Sequence, residues 1–246
     1  MSVRRVAILC EGPQDLEALR ELLCRSYLMV PRRAISAGPS GGERKALLDS
    51  RTGDLSLELV VGGGRPGLHA RWVKFARDMS PSEPYSRIGV SFDPNGDAEQ
   101  DWRRLVFEEA WGDATIQKGP FGDYSAPVAA LGTARPVDVV PLPWASESPL
   151  AYGLSDHQSL DRILAAAARQ LHPEFDPCVE AYLQCAARNG RSPGWKEAAK
   201  SWEALLFPKG GFAAQAFGQD PSLWSAAQSL LTATTMWSGL QRLLAP

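Results

Sequence analysis

The chain has 246 residues, 44% of them hydrophobic and 22% charged, with a formal net charge of −2. Such a length and apolar content supply a real core and exclude wholesale disorder. The near-balanced charge excludes a global basic field, so any contact with nucleic acid needs a local patch or a bound cation. In chain order, "RRVAILC" (4–10) reads as a buried strand and "PQDLEALRELLCRSYL" (13–28) as a helix. Leu16, Leu19, Leu22 and Leu23 fall on one face of that helix. Pro13 suits its start and Asp15 its first turn. "DLSLELVV" (54–61) alternates like a strand and ends in "GGGRPG"; "LHARWVKFARDM" (68–79) is helical in pattern. "RIGVSFD" (87–93) is another buried strand, "DAEQDWRRLVFEEAWG" (97–112) a helix, and "ARPVDVVPLPW" (134–144) a fourth strand.

The first 150 residues thus alternate strand and helix, which predicts an α/β fold with a parallel sheet flanked by helices. From 151 to 246 the chain turns helical, over 157–171, 178–189, 195–207 and 222–244. Residues 1–150 are therefore expected to form the α/β domain, with 151–246 a helical extension packed on it. Trp195, Trp202, Trp224 and Trp237 sit in amphipathic stretches of that extension and read as core residues rather than as a platform for single strands.

The four cysteines form no CxxC pair and only three histidines occur, which argues against zinc and against a disulfide framework. Cys178 and Cys185, seven apart on one helical face, read as core residues. No apolar run reaches the ~18 residues of a membrane span, and no apolar leader follows "MSVRR". The expected setting is a reducing, cytoplasmic one without membrane contact.

Two strands end on acids. Glu11 closes the first and Asp93 the third, and Asn95 and Asp97 follow Asp93 at alternate positions. Strand ends of an open parallel sheet share one edge, where ligands bind. Carboxylates crowded there repel one another unless a cation intervenes. A hard divalent ion, Mg²⁺ or Mn²⁺, suits an all-oxygen donor set. Gly12 then allows a phosphate to approach the backbone and the next helix N-terminus. Each motif also has an ordinary structural meaning: Asp15 complements a helix dipole, and "DPNGD" is a good turn sequence.

"VAILCEGPQD" followed by "IGVSFDPNGD" resembles the Toprim domain of topoisomerases, bacterial primases and OLD-family nucleases. The nearest likeness is to the small stand-alone OLD type, and it covers about residues 4–145 in pattern. The resemblance implies a Mg²⁺- or Mn²⁺-dependent enzyme that cleaves phosphodiester bonds of nucleic acid, DNA or RNA, in genome defence or repair. A partner ATPase belongs to the same implication. Carried over residue by residue, Glu11 matches the family's general acid/base or metal-associated glutamate. Asp15 matches the acid behind it, and Asp93 the first aspartate of Asp-x-Asp. Asn95 replaces the second aspartate, a departure that removes a charge and that Asp97 is placed to offset. Glu147 stands where the family has a further acid, and Lys200, with Lys196 its rival, where it has a lysine.

Asn95 also keeps open a non-catalytic or partner-regulated binding module. A dinucleotide-binding oxidoreductase is a weaker alternative: Gly62, Gly64 and Gly67 have the G-x-G-x-x-G spacing, but not on the first strand, and Pro66 interrupts the run. An EF-hand fails because Ala98 and Arg104 stand where glycine and glutamate are needed. Scattered histidines and the lack of a nucleophile elbow give triad chemistry no support.

Overall fold

The computed structural model describes residues 3–32, 45–64, 67–68, 85–94, 117–118, 124–126, 137–145, 159–206 and 221–246. The strands are β1 (Arg4–Cys10), β2 (Val30–Pro31), β3 (Lys45–Asp49), β4 (Leu55–Val61), β5 (Arg87–Phe92), β6 (Gln117–Lys118), β7 (Tyr124–Ala126) and β8 (Val137–Pro143). They form one sheet in the order β2-β3-β4-β1-β5-β8-β7-β6. The helices are α1 (Pro13–Ser26), α2 (Leu160–Leu171), α3 (Asp176–Arg188), α4 (Trp195–Leu206), α5 (Pro221–Leu231) and α6 (Thr235–Leu244). The fold is α/β.

The four strands expected from the sequence, β1, β4, β5 and β8, are the central ones, and each is parallel to its neighbours among them. The expected parallel sheet is the centre of a mixed one, whose edge pairs β2–β3, β3–β4, β7–β8 and β6–β7 run antiparallel. The reason at β3 is local. Only a short turn joins β3 to β4, and a turn that short can only make a hairpin. Gly53 sits in it at φ 73°, and its N–H donates to Ser50 O at 3.1 Å.

Register sets the faces. Leu59, Ile8, Gly89 and Val140 lie across from one another, as do Val61, Cys10, Ser91 and Leu142. This face packs into one continuous core with α1, α2, α4, α5 and α6. Residues on the other face, such as Leu9, Val90, Phe92 and Val139, are buried too. α1 buries Leu16, Ala18, Leu19, Leu22 and Leu23, the face its spacing predicts. α2 is the hub of the helical layer. Its Ala165–Ala168 run is buried, and such small side chains let α4 and α5 approach closely.

Two glycines seat α6 on the sheet. A Cβ at Gly89 would lie 2.6 Å from Leu142 Cδ1 and 2.9 Å from Leu243 Cδ2. One at Gly239 would lie 2.7 Å from the Pro141 carbonyl oxygen. The last turn of α6 is then fastened to the strand starts. Arg4 Nη2 donates to Leu244 O at 2.6 Å, and Arg87 Nη1 to Arg242 O at 2.9 Å. Arginines suit the carbonyl-rich end of a helix.

The segment 222–244, expected as one helix, is two. Thr234 caps α6 by accepting from Trp237 N at 3.3 Å, and its own hydroxyl donates to Leu231 O at 2.6 Å. The threonine run supplies a stop and a start. Trp202 and Trp224 are buried as core residues, and Trp237 packs tilted against Tyr27 with centroids 5.3 Å apart. Trp195 has its backbone in α4, and its side chain lies outside the described residues. The core reading of Cys178 and Cys185 is wrong: both thiols are exposed. Val179 is the residue that α3 buries, so the cysteine stripe faces away from the contact. The helices expected over 68–79 and 97–112 lie outside the described residues, apart from Leu68.

Candidate metal centre at the carboxyl edge of the sheet

The central parallel strands deliver their ends to one edge. Glu11 follows β1, the glycine loop follows β4, Asp93 follows β5 and Trp144 follows β8. Backbone hydrogen bonds stitch these ends together. Gly62 N donates to Cys10 O and Gly64 N to Glu11 O, each at 2.8 Å, and Trp144 N donates to Phe92 O at 3.1 Å. Glu11 and Asp93 meet directly, since the Glu11 Oε2 accepts the Asp93 N–H at 3.3 Å.

Asp15 reaches this edge from α1. Its Oδ2 accepts the Gly12 N–H at 2.7 Å, which closes the first turn behind Pro13. Its side chain is buried, with 7% exposure. Asp93 reaches toward α2, where its Oδ1 accepts the Leu160 N–H at 3.1 Å. A carboxylate at a helix N-terminus is well placed electrostatically. Ser159 caps the same turn by accepting from Arg162 N at 3.3 Å, and Asp161 stands in it.

Desolvation raises both the buried Asp15 and the half-buried Asp93, and their neighbours raise them further. The Asp15 carboxyl is pushed up to about 7 by burial, against the Gly12 N–H, with the Glu11 charge and then that of Asp161 adding to the rise. Asp93 goes well above the usual carboxylate range, by burial first and then by the Asp15, Glu11 and Asp161 charges. Four acids from two strand ends and two helix starts therefore sense one another.

Two buried donors accompany them. The Trp144 indole N–H lies close enough to Asp15 to favour its ionised form, yet among the described residues Nε1 has no acceptor within hydrogen-bond geometry. Ser91 Oγ, two residues before Asp93 on the same strand, is likewise buried without a partner.

Of the residues expected at the site, the structure brings together Glu11, Asp15 and Asp93. Asn95, Asp97 and Glu147 lie outside the described residues. Lys200 is exposed on α4, in a groove of about 360 Å³ that it shares with Cys178, Val179 and Tyr182 of α3. None of Glu11, Asp15 and Asp93 lines that groove, so the structure does not join Lys200 to them. Lys196 belongs to α4 as well, and its side chain lies outside the described residues. Asp161 and Trp144 were not expected from the sequence. Asp161 reads there as an ordinary first-turn acid; the usable signal for Trp144 was its position one residue past a strand end.

The donor set has the chemistry of a site for a hard divalent ion: all oxygen, mutually repulsive, with Asp15 buried and Glu11 and Asp93 half-buried. Among the described residues, no group of three or more His, Cys, Asp or Glu side chains is arranged to hold a metal ion. A bound ion thus requires a turn of these carboxylates from their present backbone donors, or a ligand from residues 95, 97 or 147. Among the described residues, the glycine loop is open beside Glu11. Gly63 and Gly64 have φ of 93° and 84°, and a Cβ on either would meet nothing within 4 Å among the described residues. Gly62 and Gly67 instead pack against their own loop. A Cβ at Gly62 would lie 2.5 Å from Leu68 Cα, and one at Gly67 2.5 Å from Gly62 O. These contacts explain the glycine spacing as a tight turn.

No family model matches the chain, and no curated protein matches it. A solved structure that it resembles is the crystal structure of a hypothetical protein from Pyrococcus horikoshii OT3, at a TM-score of 0.67 and 14% identity. The alignment covers 99% of this chain and 100% of that one. Likeness at this identity shows the α/β fold alone. Among the described residues, no helix is long and apolar enough to cross a membrane.

Proposed function

We propose that the protein is a Mg²⁺- or Mn²⁺-dependent enzyme that cleaves phosphodiester bonds in nucleic acid. The observation that carries this reading is the convergence of Glu11, Asp15, Asp93 and Asp161 at one sheet edge, where the charges of Glu11 and Asp161 help to raise the carboxyls of Asp15 and Asp93. The Toprim-like arrangement of the first two motifs agrees with it. Glu11 and Asp93 are the principal holders of the ion, with Asp15 behind them. The ion supplies charge stabilisation on the phosphodiester oxygens. The open backbone at Gly63 and Gly64 gives a phosphate room beside Glu11. A chain of net charge −2 has no general attraction for a polyanion, so the cation also carries the substrate's approach.

A second reading is a binding module without catalysis. It is favoured by the fact that Asp15 and Asp93 already serve backbone N–H groups. One assay separates the two. Single- and double-stranded DNA and RNA are each offered with Mg²⁺ or Mn²⁺ to wild type, Glu11→Gln and Asp93→Asn. The nuclease reading expects cleavage that requires the ion and falls about 100-fold or more in both variants. Equal activity in wild type and Glu11→Gln contradicts it, and metal binding without cleavage favours the module.

A further inference from the structure

We propose that Trp144 is a positioning residue, its indole N–H orienting the Asp15 carboxylate for the divalent cation at the sheet edge. This rests on the metal-dependent reading above and adds a residue that neither the acids nor the glycine loop points to.

Three observations carry it. The first is register. Ser91 pairs with Leu142 and Phe92 with Pro143, so the next step sets Trp144 beside Asp93. The Trp144 N–H to Phe92 O bond at 3.1 Å holds the chain in that line. Side chains two apart share a face. Trp144 therefore continues the face of Leu142, just as Asp93 continues that of Ser91.

The second is burial without a partner. Trp144 has no exposure at all, yet among the described residues its Nε1 meets no acceptor. Burying an unmet donor has a real free-energy cost, and buried indoles usually find an acceptor. The third is the disposition of Asp15. Its Oδ2 is engaged by Gly12 N at 2.7 Å. A carboxylate accepts at both oxygens, so Oδ1 has capacity for an ion and for a donor that fixes its plane. Donors placed behind metal-binding side chains set their orientation, and losing one weakens the metal.

The test uses Trp144→Phe in the full chain. The substitution keeps an aromatic ring and deletes the N–H. Mn²⁺ affinity is measured by calorimetry, Tm is measured in metal-free buffer, and the indole proton of Trp144 is followed by NMR as Mg²⁺ is added to wild type. The expected result is a folded variant, its metal-free Tm lowered by no more than the smaller ring costs, with Mn²⁺ binding weakened about tenfold. In wild type the Trp144 indole proton moves downfield on saturation as its bond to the carboxylate closes. Equal Mn²⁺ affinity in the two proteins overturns the positioning role while leaving the metal reading intact. Absence of Mn²⁺ binding in wild type overturns both. Should Trp144→Phe fail to fold, the wild-type NMR titration decides: an indole proton that stays put while the protein binds Mg²⁺ overturns the role.

Discussion

Asp15 serves two ends that pull its protonation in opposite directions. Its bond to Gly12 N favours the carboxylate, while burial and the neighbouring acids favour the carboxylic acid and win, placing it at about 7. An acid raised in this way binds its proton more tightly folded than unfolded. It therefore contributes stability that is full below its ordinary value near 3.8 and is lost as pH rises through about 7. Asp15→Asn keeps an oxygen for Gly12 N and cannot ionise. Its Tm is expected to vary less between pH 5 and 8 than that of wild type, and to match or exceed it at pH 8. An unaltered pH slope in thermal melts would show that Asp15 is not the titrating group. Glu11 and Asp93 were legible because a buried strand ending on an acid is a visible pattern. Asp161 was not, since proximity across 68 residues of chain has no local signature and a first-turn acid is commonplace.

At the scale of elements, close approach decides what propensity does not. Alanine normally improves a helix over glycine by about 1 kcal/mol. At Gly239 the sign should reverse, because the new Cβ would lie 2.7 Å from the Pro141 carbonyl oxygen, a backbone atom that cannot swing aside. Gly239→Ala is predicted to lose about 1–3 kcal/mol in denaturant melts. A gain in stability would mean that α6 does not lie on β8 as described. The central strands were readable as apolar runs between turn signals. β3, β6 and β7 were not. β3 is "KALLD", five residues with no strong alternation, and β6 and β7 have two and three residues. Their pairing comes from the strand beside them. The break before α6 was hidden for a similar reason. Threonines at 232, 234 and 235 continue an amphipathic pattern, and only the Thr234 hydroxyl bonds end one helix and start the next.

At the scale of the whole molecule, the chain's two ends hold each other. Arg4 and Arg87 at the starts of β1 and β5 grip the carbonyls of α6, so the last helix depends on the strands that also carry Glu11 and Asp93. Arg87→Ala should lower Tm by several degrees, at about 1.5–3 kcal/mol for charge-assisted bonds to a partly buried helix end. An unchanged melt would show the grip to be incidental. The same arrangement explains why the helical layer was only partly legible. Periodicity identified its helices, but the site is completed by the N-terminus of α2 reaching Asp93, a contact that spans 67 residues. The central claim is that this edge is built for a divalent cation, and its most direct measurement is calorimetric titration of Mn²⁺ into wild type, Glu11→Gln and Asp93→Asn, in two buffers of different ionisation enthalpy near pH 6. Wild type is expected to show saturable binding with proton release, because an ion entering below about 7 displaces the proton of Asp15. Both variants should bind at least about tenfold more weakly. No saturable binding in wild type, or identical isotherms for all three proteins, would contradict the account.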